Sequence, residues 1–194
     1  MKYIDNYIVF ENFTTLKYYC IENNINKIKE LVDKNTDLIT INKLFRIAIS
    51  NNRYIICEYL FGLGATLDYN DNIIFSSIFK INEKPLKYCI LAGVNVNQID
   101  NSSIVVDQYN YTPLINTSFY TIPKKWEKLK LLIDANADWN ILNRNGLDFV
   151  DLLAKTLLFK LKRDYPKKYE NYLKMKPIYK KEFDKKQKVN KFNL

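Results

Sequence analysis

Four short strings in this chain echo one another: KNTDLI, LGATLD, AGVNVN and ANADWN. Each closes an apolar stretch of helical character. Their second residues, Asn35, Gly64, Gly93 and Asn136, lie 29, 29 and 43 residues apart. Self-similarity at such periods is the mark of stacked supersecondary units, which bury a core only by packing on their neighbours. It also limits function: an array of this kind presents a surface, and the sequence does not name what that surface meets.

Upstream of each anchor the same apolar pattern returns. Three and four residues before it lie Val32 and Leu31, Phe61 and Leu60, Ile90 and Cys89, Ile133 and Leu132; seven before it lie Ile28, Cys57, Leu86 and Leu129. These offsets share one face of a helix. Gly and Asn are the residues that best tolerate the left-handed conformation ending a helix. A second helix recurs in the same register, with Leu16, Phe45 and Ile74 nineteen residues before the first three anchors and Tyr19, Ala48 and Ser77 sixteen before them. Leu114 and Thr117 take these roles in the fourth copy, shifted by three. Small side chains at Ala48, Ser77 and Thr117 let neighbouring units approach. Each unit is therefore expected to be a helix, a turn, a second helix and a connector.

With Thr112-Pro113-Leu114 opening the fourth copy and Asn136-Ala137-Asp138-Trp139-Asn140 closing it, the chain resembles the ankyrin-repeat family. Asn143-Arg144-Asn145-Gly146 begins a fifth copy, and Gly146 through Ala154 resembles the divergent start of a terminal repeat. The position usually held by His carries Lys17, Arg46, Phe75, Ile115 and Asp151, and Thr-Pro-Leu is intact once. The richness in Asn, Ile, Lys and Tyr suggests an AT-rich genome. With imperfect copies, the chain is similar to ankyrin proteins of giant or large DNA viruses, although intracellular bacteria and some protists share the bias.

The resemblance implies an all-α ankyrin-repeat solenoid of helix-turn-helix units with short connectors and a basic helical extension at the C-terminus. Residues 1–12 form an N-terminal cap. Residues 13–160 form the array, divided at about 13–41, 42–70, 71–110, 111–142 and 143–160, and 161–194 are the basic helix and tail. It further implies binding of another protein, a host protein among the candidates, through a concave surface of inner helices and connector tips. Carried over position by position, that surface is Tyr18, Glu22, Ile47, Ser50, Asn51, Phe79 and Lys80, with tips at Tyr69, Asn70, Asp71, Arg144 and Asn145. One connector, 94–111, exceeds the family length by seven residues, an insertion that reads equally as a specificity element or as drift. It carries the apolar triplet Ile104-Val105-Val106, which if exposed is a partner anchor or an aggregation liability.

Composition narrows the chemistry. The chain has no His, which removes His-based acid–base catalysis, Ser–His and Cys–His pairs and the usual zinc sites. Gly64, Gly93 and Gly146 are used as repeat punctuation, leaving no phosphate-cradling loop. No enzyme activity, cofactor or metal is expected. Cys20, Cys57 and Cys89 fall on core positions without metal spacing and read as reduced buried thiols, suited to a reducing intracellular compartment. No stretch is apolar enough for a membrane span, the N-terminus does not read as a signal peptide, and 194 residues suit one monomeric domain.

The formal charge of +9 is unevenly placed. Residues 155–194 hold 14 basic and 4 acidic residues, a net of +10, so residues 1–154 are close to neutral. Pro166 opens a helix on which Tyr165, Tyr169 and Tyr172 recur at helical spacing, a face suited to capping the last repeat. Beyond Pro177 the run is expected to be loose. The alternative function lies there: its lysines would meet nucleic acid, an anionic membrane surface or import machinery, with Tyr179 and Phe183 available for stacking. Trp139 reads as an exposed anchor or as packing on the next repeat, Trp126 as core, and Asn145-Gly146 as a turn.

Overall fold

The computed structural model describes residues 13–100 and 111–192, with side chains through Val189. All regular structure among the described residues is helical. The elements fall into two compact units divided between Asn95 and Val96, where chain length alone suited one domain.

The first unit holds α1 (residues 13–21), α2 (Ile25–Leu31), α3 (Leu38–Ser50), α4 (Tyr54–Gly62), α5 (Ile73–Ile78) and α6 (Lys84–Leu91). Asn24 caps α2 by accepting the Lys27 N–H, and Asp37 caps α3 by accepting that of Thr40. Such caps satisfy N–H groups that have no partner within the helix. Helix α3 packs on α4 and α5 on α6, as two hairpins. Across the hairpins α3 lies on α5, while α4 lies between α2 and α6, giving an inner and an outer layer. The expected core sits between them: Ile28, Phe45, Cys57, Leu60, Ile74, Leu86 and Cys89 are fully buried, joined by Ile49. Phe61 and Tyr88 lie 5.8 Å apart by ring centroids, and both pack on Phe45. Ala48 and Ser77 are likewise fully buried, as small residues at a helix–helix contact should be.

Helix ends repeat one geometry. At Gly64, Gly93 and Asn136 the backbone is left-handed, with φ of 92°, 87° and 61°. The next residue, Ala65, Val94 or Ala137, donates its N–H to the carbonyl five residues back, at Leu60, Cys89 or Leu132. This is the Schellman closure of a helix. A second set is left-handed as well: Asn23, Asn52 and Lys124, each twelve residues before an anchor, in the turn between paired helices. Asn35 departs from expectation. It has no positive φ; its N–H is held by Asp33 Oδ1 at 2.9 Å, while α2 ends on an extended Val32. That exit buries Val32 and leaves Leu31 48% exposed, so the first copy is offset by one position from the others.

The second unit holds α7 (Pro113–Phe119), α8 (Lys125–Asp134), α9 (Lys155–Asp164) and α10 (Pro166–Phe192). Thr112 caps α7 and Pro113 opens it, and α7 packs on α8 with Thr117 fully buried between the elements. Lys125 Nζ donates to the carbonyls of Ser118 and Tyr120 and Lys128 Nζ to that of Pro123, closing the turn between α7 and α8. Burial on these carbonyls lowers the Lys125 pKa.

A turn over 149–152 precedes α9. One expectation is corrected here: the run beyond Pro177, expected to be loose, is helical through Phe192. Proline removes one backbone donor, but side chains on both sides of it are tied to the rest of the unit, and these hold the helix across the gap. No helix of the described residues is long and apolar enough to cross a membrane.

Candidate functional site

The inner layer of the first unit forms a shallow groove of about 310 Å³ lined by residues of α1, α3 and α5. Helix α1 supplies Lys17 and Ile21. Helix α3 supplies Arg46, Ile47, Ser50 and Asn51, whose spacing places them on one face, and α5 supplies Ile73 and Ser76. Arg53 Nε donates to the Ile21 carbonyl at 2.8 Å, and Asn51 Nδ2 to that of Ile47 at 2.8 Å, so the groove wall is fixed by hydrogen bonds.

Of the residues carried over from the family, Ile47, Ser50 and Asn51 meet in this groove. Tyr18 and Glu22 are exposed on and just beyond α1, Phe79 is 47% exposed at the end of α5 and Lys80 is half-buried. Tyr69 and Asn70 are exposed at the connector tip, where the Tyr69 carbonyl accepts the Asn95 N–H at 2.6 Å. Asp71 is not a tip residue. It is 4% exposed, its Oδ1 accepts the Ile73 N–H at the start of α5, and its carboxylate pairs with Arg46. A carboxylate so buried needs its cation close by. In the sequence, Lys17 and Arg46 stand out only as departures from the usual His. The signal for their role is their shared register, 29 residues apart, which sends both cations into one groove.

Connectors are joined in register. The residue two beyond each of the last three anchors donates its N–H to an upstream residue: Thr66 to Asn42 Oδ1 at 2.8 Å, Asn95 to the Tyr69 carbonyl at 2.6 Å, Asp138 to Asn97 Oδ1 at 2.7 Å. The long connector enters and leaves through the Asp100 N–H bond to the Tyr111 carbonyl, at 3.0 Å. The Ile104-Val105-Val106 triplet and the cap at 1–12 lie outside the described residues.

In the second unit Arg144 and Asn145 are exposed at a tight turn, where Gly146 is left-handed and buried Asn143 accepts the N–H groups of Asn145 and Leu147. Behind it, fully buried Asp148 accepts the hydroxyls of Tyr172 at 3.0 Å and Tyr179 at 2.9 Å and faces Lys176 Nζ at 3.3 Å. Asp151 pairs with Lys176 and, at 2.7 Å, with Lys180. Burial and the Asp148 charge push both phenols well above their ordinary value. Burial pushes Asp151 up, but its bonds to Lys176 and Lys180 outweigh this and hold it below the usual carboxylate value. Trp139 is buried edge-on against Phe149 at 5.0 Å and Tyr172 at 6.0 Å, which makes it packing rather than an exposed anchor. Trp126 is half-buried beside Tyr165. Tyr179 and Phe183, the aromatics offered for base stacking, are turned inward, Tyr179 onto Asp148 and Phe183 onto Gly146.

Cys20, Cys57 and Cys89 are unpaired and buried. Burial raises the thiols of Cys20 and Cys89 to about 12 and that of Cys57 as well, so none is a ready nucleophile. The chain matches no protein-family model and no curated protein sequence.

Proposed function

We propose that this chain is a divergent ankyrin-like repeat array that binds another protein and catalyses no reaction. One observation carries the reading: left-handed residues, helix closures and inter-connector hydrogen bonds recur at fixed offsets from the anchors, and the inner layer they order leaves an open, solvent-facing groove. Inner-helix grooves are where the family places its partners. The lining favours an apolar partner segment carrying an acid: Ile21, Ile47 and Ile73 offer apolar surface, Ser50, Asn51 and Ser76 offer hydrogen bonds, and exposed Lys17 supplies a cation. Asp71, the acid that reaches Arg46 at the groove edge, is already paired with it. The unpaired buried thiols support a reducing compartment as the site of action.

Affinity capture from the native cell tests this, comparing the unaltered chain with Ile47→Glu and Lys17→Glu. Neither position is deeply buried, so melting should stay within about 1 kcal/mol of the parent. The reading requires a captured protein that both variants lose; capture unchanged by both would reject the groove.

A further inference from the structure

The docked side of α10 is defined by Tyr169, Tyr172, Lys176, Tyr179 and Phe183, at successive spacings of three and four. At about 100° per residue, the line directly opposite them runs through Lys174, and Lys167, Lys181, Lys185 and Lys188 fall within about 40° of it. All five are exposed and none pairs with a carboxylate among the described residues. Four of them recur every seven residues, so the ridge spans about 32 Å with a charge each 10 Å or so. Glu170 is the one acid within about 40° of that line, and Glu182 and Asp184 flank it at about 80°. Ile178 and Val189 stand among the lysines at 51% and 57% exposure.

We propose that this ridge binds an anionic membrane surface. Four observations favour it over nucleic acid. The aromatics that would stack on bases face inward. Helix α10 has no arginine, so bidentate reading of phosphates or base edges is absent from it. A straight, evenly charged line matches a plane, whereas along a duplex it would face phosphates only where it crosses the strands, separated by grooves of about 6 and 12 Å. Ile178 and Val189 have no use against phosphates but gain by entering a headgroup layer. The lysines stay in water beside the lipid headgroups, so the helix lies on the membrane and does not cross it.

The test is co-sedimentation of the full chain with phosphatidylcholine vesicles, with and without about 30% phosphatidylserine, near physiological salt. Binding is expected only with phosphatidylserine and should weaken steeply as salt rises. Each ridge lysine is expected to contribute about fivefold, so Lys174→Gln, Lys181→Gln and Lys188→Gln together should weaken binding by about 100-fold. Far-UV helicity should be unchanged, since all three side chains are exposed. Ile178→Ser should cause a smaller loss that salt does not mask. The proposal is overturned if the parent ignores anionic vesicles, if the triple variant binds them as well as the parent does, or if a DNA duplex competes the protein off the vesicles at equal total charge.

Discussion

Ala48 has no exposed surface and sits in α3, whose neighbours are α4, α5 and α6. Ala48→Leu must therefore displace packed atoms and should lower stability by about 1–3 kcal/mol, read from thermal melting. An unchanged midpoint would mean that the position is not a stacking contact. At Gly64 the space around a new side chain is open and the cost is conformational, because φ is 92°. Gly64→Val should cost about 1–2 kcal/mol and Gly64→Asn clearly less, since Asn136 holds the equivalent place. Equal melting for both variants would contradict the left-handed assignment. These positions were legible because a glycine recurring just past an apolar helix, and a small residue recurring within one, each answer a specific steric need. Asn35 misled because asparagine serves equally in a turn, and here the Asp33 side chain claimed its N–H. Asn23 and Asn52 went unseen among the chain's many asparagines, and at Lys124 a lysine gives no sign of a left-handed turn.

Among the elements, α10 shows most directly what a charge count hides. Two of its lysines, Lys176 and Lys180, are neutralised by Asp148 and Asp151. The looseness expected beyond Pro177 overlooked partners 29 and 31 residues away in sequence, Asp151 for Lys180 and Asp148 for Tyr179, the latter presented to α10 by the turn around it. Docking should depend on pH in both directions. Asp151 is held below its ordinary 3.8, so its contribution is present above that value and lost as pH falls through the lower folded value. Tyr172 and Tyr179 are raised above 10 and Lys176 above 10.5, so theirs are complete below those values and lost as pH rises past them. Hydrogen exchange in α10 should thus be slowest near neutral pH, once corrected for intrinsic rates, and protection should fall below about pH 4 and above about pH 10. Tyr172→Phe leaves a buried carboxylate short of a donor and should cost about 1–3 kcal/mol, with protection lost across 172–189. Exchange as slow in the variant as in the parent would show that the aromatic contacts alone hold the helix.

At the scale of the molecule, the all-helical architecture and hairpin order were legible because apolar spacing at 3, 4 and 7 recurs with helix stops between. The division near Asn95 was not, since it depends on which contacts are made and not on any local pattern. The groove was half legible: register placed Ile47, Ser50 and Asn51 on the inner layer, while the ion pair that turns Arg46 toward Asp71 needed coordinates. The central claim is that a partner protein is received by the inner layer. The most direct test places a photo-crosslinking residue at Ser50, in the groove, and separately at Ile55, 44% exposed on the outer-layer helix α4. In the native cell the account predicts a discrete protein adduct from position 50 and none from position 55. Equal adducts from both positions, or an adduct from 55 alone, would contradict it.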